Sequence, residues 1–351
     1  MPCGICFAGG SVFLKYGILL WPHANARYQT ESFRLGRAEL EIMLGRIAPG
    51  AVVKDFSRDE INLLEFEAPS ALDAQDIRRL ARHSLMYALF QIEGALLRPV
   101  CGRGPTYLQP DLPGVLKYKG KTNELFTLLT MNLAVYASGF AGEAETRLKF
   151  ADPMCSRGTA LFQAVNRGWD AYGCDISSVD LKELSQYFKR YLEYHKIKHA
   201  FERESFTVPG AKPVPAVSFS FSESSGQYRA GERRLLRAAD CDCALIGRVF
   251  GKPRYHAMAT DLPYGVQHAP GGGSLEKLLA RSLPAWREAL LPGGALAVSF
   301  NTNILKTEAM RGLMEESGFQ VMRSGPWDGL SHWVEQAVDR DVAVGVRPGI
   351  Q

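Results

Sequence analysis

The chain has 351 residues, of which 46% are hydrophobic and seven are cysteine, and its formal net charge is +4. These values are typical of an ordinary globular protein with two domains, and the odd number of scattered cysteines disfavours a disulfide framework. The small positive charge permits a nucleic-acid partner and does not indicate one.

The start of the chain has the pattern of neither a secretory signal nor a membrane span. Met1–Gly10 lacks the positive charge that opens a signal peptide, and Gly17–Trp21 is too short to cross a bilayer. We therefore expect a cytoplasmic protein that does not bind a membrane. The spacing of Cys3-x-x-Cys6 and Cys241-x-Cys243 does not complete a zinc pattern, so we expect no metal.

The N-terminal part of the chain alternates between strand-like and helical patterns. Strands are predicted at Val12–Leu20 and Ile61–Glu67, and helices at Thr30–Leu44 and Asp73–Tyr87. This β-α-β-α order predicts a small α+β domain of ferredoxin-like type over residues 1–110. The stretch Arg98–Pro113 is rich in glycine and proline, and we interpret it as a linker.

The second part, residues 111–351, alternates strands and helices as a parallel, doubly wound sheet does. After a helix at Glu124–Ala137, strands are predicted at Leu148–Ala151, Ala171–Asp175, His256–Thr260, Ala295–Phe300 and Phe319–Met322. Further helices are predicted at Thr159–Arg167, Val179–His195, Leu275–Leu290 and Lys306–Ser317, and an inserted hairpin at Ser205–Glu223. The predicted fold class is α/β, with a Rossmann-like sheet that follows the small α+β domain.

A tight turn follows the first strand of this second part. It reads Asp152-Pro153-Met154-Cys155-Ser156-Arg157-Gly158-Thr159 and joins a strand-end acid to a helix start. Such a turn lets the backbone approach a nucleotide ligand, and the amides of the helix start favour a carboxylate. Because the turn has one glycine where such loops have two or three, an ordinary strand-turn-helix is an equal alternative for this segment alone.

Two further acids follow strands of the same sheet. Asp175, with Ile176 beside it, comes about 20 residues after the loop, where an acid accepts hydrogen bonds from ribose hydroxyls. Capping the next helix is the alternative role for Asp175. A third acid, Asp240 or Asp242, is expected to receive an adenine amino group, and its position favours Asp240. Together these acids predict a site for S-adenosylmethionine.

The strand at His256–Thr260 runs into the tetrapeptide Asp261-Leu262-Pro263-Tyr264. The exocyclic amine of a nucleobase is a poor nucleophile because its lone pair is delocalised into the ring. The Asp261 carboxylate and the Leu262 carbonyl can each accept one amine N–H and so orient the lone pair. Pro263 stiffens the turn, Tyr264 offers a stacking face, and Asp261 takes the released proton. An ordinary Asp-x-Pro turn is the structural alternative.

Four segments resemble the THUMP-associated tRNA guanosine N2-methyltransferases and their bacterial relatives: Lys117–Asn123, Asp152–Thr159, Asp261–Gln267 and His332–Asp341. The resemblance implies methyl transfer from S-adenosylmethionine to N2 of guanine in tRNA, with the loop acid, Asp175 and the tetrapeptide in the roles given above. It also places Thr122 and Asn123 near the cofactor, and capping the following helix is their alternative role. Residues 1–110 would then be a region for RNA docking.

Three positions depart from that family pattern. Ser156 stands where glycine is usual, Arg157 where a small residue is usual, and Leu262 where proline is common. The N-terminal region is also too short to hold both the family's N-terminal fold and a complete THUMP module. DNA adenine N6-methylation is the alternative activity, and a catalytically inactive scaffold that binds cofactor and RNA is the alternative class. Asp261 argues against protein glutamine methylation, whose enzymes usually have asparagine there.

Overall fold

The computed structural model describes residues 14–22, 26–58, 60–118, 121–251, 255–263, 275–335 and 338–349. The chain divides into two compact units between Gly104 and Pro105. Tyr264, Cys3 and Cys6 lie outside the described residues, as do parts of three of the four segments that carry the resemblance. In the part of the chain that the structure describes, no helix is long and apolar enough to cross a membrane. The roles predicted for residues 1–110 and 111–351 stay predictions.

In its described residues, the N-terminal unit is a five-stranded antiparallel sheet with two helices. Its elements are β1 (Leu14–Leu20), α1 (Ala26–Ile47), β2 (Lys54–Arg58), β3 (Ile61–Ala68), α2 (Ala74–Leu80), β4 (Met86–Glu93) and β5 (Leu96–Gly102). The strand order is β2-β3-β1-β4-β5. The first six elements therefore have the β-α-β-β-α-β order of a ferredoxin-like fold, and β5 extends one edge. The predicted small α+β domain is confirmed.

The helix predicted at Asp73–Tyr87 is wrong in its second half. Asp73 caps the helix by accepting hydrogen bonds from the backbone amides of Gln75 and Asp76, but the helix ends at Leu80. A buried polar turn follows, in which the Ser84 amide donates to Oε1 of Glu39 at 2.9 Å. Because this turn satisfies the backbone without a helix, the chain is free to enter β4 at Met86.

The C-terminal unit contains the remaining elements. Its helices are α3 (Leu112–Val115), α4 (Glu124–Ala137), α5 (Thr159–Asn166), α6 (Ser178–Tyr194), α7 (Ser225–Arg229), α8 (Ile246–Val249), α9 (Leu275–Ala289) and α10 (Thr307–Glu316). Its strands are β6 (Lys149–Asp152), β7 (Asp170–Asp175), β8 (His199–Phe206), β9 (Val214–Phe221), β10 (Arg234–Asp240), β11 (Tyr255–Asp261), β12 (Leu290–Asn301), β13 (Gln320–Val321), β14 (His332–Glu335) and β15 (Val338–Val346).

Five strands of this unit form a parallel core in the order β10-β7-β6-β11-β12. The chain leaves β6 towards β7 on one side and returns to β11 on the other, so the topological switch point lies between β6 and β11. In sheets of this kind, ligands bind at the carboxyl ends of the strands beside that point. The prediction of a Rossmann-like doubly wound sheet is confirmed.

Antiparallel strands extend the parallel core on both sides. On one side β15 pairs with β12, and β13 and β14 both pair with β15. On the other side β9 pairs with β10 and β8 with β9, so the predicted insertion is a hairpin, with its first strand beginning at His199 rather than Ser205. The strands β10 and β15 were not predicted. Arginines interrupt the apolar pattern of β10, where Arg237 donates to Ser218 and Glu204.

Gly173 in β7 allows the turn after β6 to pack against the sheet. A Cβ atom there would lie 2.8 Å from both the Cys155 sulfur and Cδ1 of Leu161. We expect Gly173→Ala to lower the free energy of unfolding by about 1–3 kcal/mol because it overpacks a buried contact. Denaturant unfolding measures the difference.

Gly312 in α10 is the matched control, since no atom lies within 4 Å of its added Cβ. There the substitution to alanine should raise the free energy of unfolding by roughly 0.5–1 kcal/mol, as alanine is favoured over glycine within a helix. A Gly173→Ala variant as stable as the wild type would contradict the described packing of this turn.

Candidate active site

A cavity of about 980 Å³ opens at the switch point, beside the carboxyl ends of β6, β7 and β11. Five of its described lining residues are aspartates, and no lysine or arginine is among them. The acids are Asp152, Asp175, Asp180, Asp242 and Asp261. Three of them pair with arginines that do not line the cavity: Asp180 with Arg157, Asp242 with Arg281 and Asp261 with Arg340. The carboxylates of Asp152 and Asp175 are therefore the ones that favour a ligand with positive charge. Among the described residues, no group of three or more histidine, cysteine, aspartate or glutamate side chains is arranged to hold a metal ion.

Asp152 is the buried acid at the end of β6. Its side chain accepts a hydrogen bond from the Met154 amide at 3.0 Å, which closes the turn. Burial, with a smaller contribution from the neighbouring carboxylates of Asp175 and Asp261, raises the pKa of Asp152 to about 7. The charged form of Asp152 is therefore costly in this buried position, and a cation beside it would stabilise that form.

The turn between β6 and α5 contains two residues with left-handed backbone conformations. Ser156 has a φ of 44° and Gly158 a φ of 88°. Ser156 therefore adopts the conformation that makes glycine usual at this position, and its amide donates to Oδ2 of Asp175 at 2.8 Å. Gly158 forms the N-cap of α5 without a side-chain hydrogen bond. Of the residues predicted here, Pro153, Cys155 and Thr159 line the cavity and Gly158 does not.

Arg157, the other unusual residue of this turn, does not line the cavity, but it contacts two residues that do. Its guanidinium pairs with Asp180 at 2.8 Å and with Glu183 at 2.9 Å, both on α6. It also lies over the ring of Tyr118, 4.6 Å from the ring centroid. The departure from a small residue is therefore accommodated by acids of α6, and the cavity stays open.

Asp175 ties the turn after β6 to the end of β7. Its two oxygens accept hydrogen bonds from the amides of Ser156 and Ser177. The N-cap of α6 is Ser177, so the alternative in which Asp175 caps this helix is not observed. Ile176 is half exposed and lines the cavity next to the carboxylate. Burial raises the pKa of Asp175.

The structure separates the two candidates for the third acid. Asp240 is the last residue of β10 and is not among the described residues that line the cavity, whereas Asp242 is. Oδ1 of Asp242 accepts a hydrogen bond from the Ala244 amide at 2.9 Å, and Oδ2 lies 2.7 Å from the Arg281 guanidinium. The residues after β10 form a short 3₁₀ helix at Cys243–Leu245, and this geometry brings Asp242 rather than Asp240 to the cavity. Which acid contacts an adenine stays a prediction.

Asp261 is held by three side chains from separate parts of the chain. Its Oδ1 accepts a hydrogen bond from the Ser299 hydroxyl at 2.6 Å, and its Oδ2 accepts one from the Thr122 hydroxyl. The guanidinium of Arg340 lies 3.8 Å from the same Oδ2. The amide of Leu262 donates to the Ser299 carbonyl at 2.9 Å, which fixes the next peptide. Leu262 and Pro263 line the cavity.

Thr122 and Asn123 have different roles. Thr122 lines the cavity and bonds to Asp261. Asn123 caps α4, accepting hydrogen bonds from the Leu125 and Phe126 amides, and is not among the described lining residues. The resemblance thus placed one of the two at the cavity, and the capping alternative holds for the other.

Sequence reasoning missed several residues of the site. Ser299, Arg340 and Phe126 come from strands and a helix that meet only in the folded unit. Tyr118, which lines the cavity and lies 3.4 Å from the Thr159 hydroxyl, belongs to a segment that carried the resemblance. That segment was the available signal for Tyr118. For Ser299, its position at the end of a predicted strand of the same sheet was a weaker one.

No protein-family model and no curated protein sequence matches the chain. Solved structures with a similar fold include TrmN from Thermus thermophilus, at 14% identity over 85% of this chain and 60% of that one, with a TM-score of 0.39. Magnesium protoporphyrin IX methyltransferase from Synechocystis, with bound SAM, shares 14% identity over 67% and 88%, with a TM-score of 0.38.

A TehB-like SAM-dependent methyltransferase from Corynebacterium glutamicum shares 14% identity over 57% of this chain and 80% of its own, with a TM-score of 0.35. These proteins are similar to the chain in fold. At identities and TM-scores this low, the likeness carries no argument about what the chain binds or does.

The raised pKa of Asp152 predicts how the stability of the free protein depends on pH. Because the folded state holds this proton more tightly than the unfolded chain, the stabilising contribution is present at low pH and is lost as pH rises through about 7. Asp152→Asn should therefore raise the free energy of unfolding at pH 8 by about 2–4 kcal/mol, and the gain should shrink towards pH 5. Urea unfolding at several pH values measures it.

Asp170 is the matched control, since it is equally buried but pairs with Arg147 at 2.9 Å. Asp170→Asn should destabilise the protein at pH 8, which is the opposite sign. If Asp152→Asn were also destabilising at pH 8, the description of Asp152 as a costly buried charge would be wrong.

Proposed function

We propose that the chain is a methyltransferase that uses S-adenosylmethionine and acts on an exocyclic amine of a nucleobase. The observation that carries this proposal is the fixed Asp261 carboxylate in the same cavity as Asp152 and Asp175. A strand-end acid suited to orient an amine thus lies beside two strand-end acids suited to hold a nucleoside with a positive charge.

The residues around the turn after β6 fit this cofactor. A carboxylate that accepts backbone hydrogen bonds on both oxygens keeps further lone pairs, so Asp175 can still accept the two ribose hydroxyls. The buried Asp152 would face the cationic methionine end, which favours its charged form. Asp242 and Ile176, which both line the cavity, would contact the adenine. The volume of about 980 Å³ leaves room for an acceptor as well.

The tetrapeptide supplies the chemistry of the acceptor side. When bound, S-adenosylmethionine supplies an electrophilic methyl group. The Asp261 carboxylate and the Leu262 carbonyl accept the two N–H groups of the amine and direct its lone pair. Asp261 then takes the proton that the amine loses. Tyr264 is proposed to stack on the base, as the sequence predicts.

Guanine N2 in tRNA is the proposed acceptor. It rests on the four resembling segments and on an N-terminal α+β unit before the methyltransferase unit, because a base inside a folded RNA is positioned by contacts far from it. DNA adenine N6 is the second candidate acceptor, since adenine presents the same amine and an aromatic face. The experiment is incubation with labelled cofactor and either unmodified tRNA or DNA, followed by mass spectrometry of the nucleosides. N2-methylguanosine supports the proposal, whereas N6-methyladenine in DNA alone would overturn this acceptor.

Cofactor affinity tests the acids at the end of β7 and after β10. Asp175→Ala should weaken binding of S-adenosylmethionine by about 2–4 kcal/mol, because two charge-assisted hydrogen bonds are lost. Asp242→Ala should also weaken it, whereas Asp240→Ala is the control that should leave it unchanged, since Asp240 closes β10 outside the cavity. Calorimetry measures the three affinities. Unchanged affinity in Asp175→Ala would remove this residue from the cofactor site.

Turnover tests the acceptor side separately. Asp261→Asn keeps the shape of the side chain but removes its charge, so cofactor affinity should be retained while the rate of methyl transfer falls about 100- to 10,000-fold. Single-turnover assays with the preferred acceptor measure the rate. Robust transfer by this variant would refute the role of Asp261, and cofactor binding without transfer by the wild type to any nucleic acid would favour the scaffold alternative.

A further inference from the structure

Arg340 is a buried cation directly behind the acceptor acid. It lies in β15, where it pairs with Asn301 of β12 and with His332 of β14. Its side chain is 7% exposed, and its guanidinium lies 3.8 Å from Oδ2 of Asp261. It is not among the described residues that line the cavity. Arg340 therefore reaches the site through Asp261.

The same guanidinium also contacts the wall of the cavity. It lies over the ring of Phe126 on α4, 4.5 Å from the ring centroid. Phe126 lines the cavity, and its ring lies 4.9 Å from that of His332. A planar, charged group that stacks on a ring and faces a carboxylate fixes the relative position of the two.

The hydrogen bonds from the two hydroxyls do not by themselves fix the orientation of the Asp261 carboxylate. Ser299 donates to Oδ1 and Thr122 to Oδ2, and each hydroxyl can turn about its own C–O bond. The Arg340 guanidinium adds an ion pair with Oδ2, at an N···O distance of 3.8 Å that is longer than a hydrogen bond. The carboxylate is thereby held from β12, from the start of α4 and from β15 at once.

We propose that Arg340 is a positioning residue for methyl transfer, one that aims the Asp261 carboxylate and keeps Phe126 in register with it. The inference rests on the proposed function of the same site. Arg340 contacts neither the cofactor nor the acceptor base. Its effect is on the geometry of the acid that orients the amine, where a displacement of about 1 Å is costly.

Kinetics distinguish positioning from a structural role. Arg340→Gln should lower kcat about 10- to 100-fold while the affinity for S-adenosylmethionine changes by less than about twofold. Arg340→Lys, which keeps the charge and loses the planar fork, should recover part of kcat. Arg311→Gln is the control, since Arg311 is equally buried and pairs with Glu308 and Asp328 away from the cavity. It should retain kcat even if it lowers the melting temperature.

A double-mutant comparison tests the contact without any assay of activity. Arg340→Gln should lower the melting temperature of the wild type more than it lowers that of Asp261→Asn, because the paired charge is already gone in the second background. Additive shifts, or full kcat in Arg340→Gln, would overturn the inference. If the wild type transferred no methyl group at all, the proposed function would fail, and the melting temperatures alone would decide whether Arg340 holds Asp261.

Discussion

Two hydrogen bonds and an ion pair to Asp261 connect the segments of the C-terminal unit that form one wall of the cavity. Thr122 stands before α4, Ser299 in β12 and Arg340 in β15, and all three contact the carboxylate that ends β11. These segments are far apart in sequence and adjacent only because the sheet places β15 next to β12 and β12 next to β11. The contacts that hold this one carboxylate thus depend on the order of these strands in the sheet.

On the other side of the cavity, buried carboxylates lower the stability of the folded protein when they are charged. Burial raises the pKa of both Asp152 and Asp175, and the charge of Asp175 contributes to the rise at Asp152. The backbone amides of Met154, Ser156 and Ser177 partly offset this cost. Acids placed where they destabilise the free protein are common at sites that bind a cation, because the ligand supplies the missing partner.

The sequence was sufficient to predict the strand-end acids as residues of the site. Asp152, Asp175 and Asp261 each follow a short apolar run that predicts a buried strand. The sequence did not indicate that Asp242 lines the cavity, because the path of the chain after β10 depends on local hydrogen bonds. It also did not indicate the contact of Arg340, because β15 had not been recognised as a strand. In the N-terminal unit the helical pattern continued past Leu80, and the buried Glu39–Ser84 contact that ends the helix is a tertiary interaction. Local patterns predicted elements, while partners distant in sequence decided boundaries and side-chain contacts.

The inserted hairpin of β8 and β9 changes where the large sheet stops. An outermost strand presents unpaired amides and carbonyls that invite another chain to join. Here that boundary is β8 rather than β10, and Glu202 and Arg203 stand exposed on it. Charged side chains on an outer strand oppose such joining, because a second strand would have to bring its own groups against them out of water. The insertion therefore covers the edge of the strand that leads to Asp242.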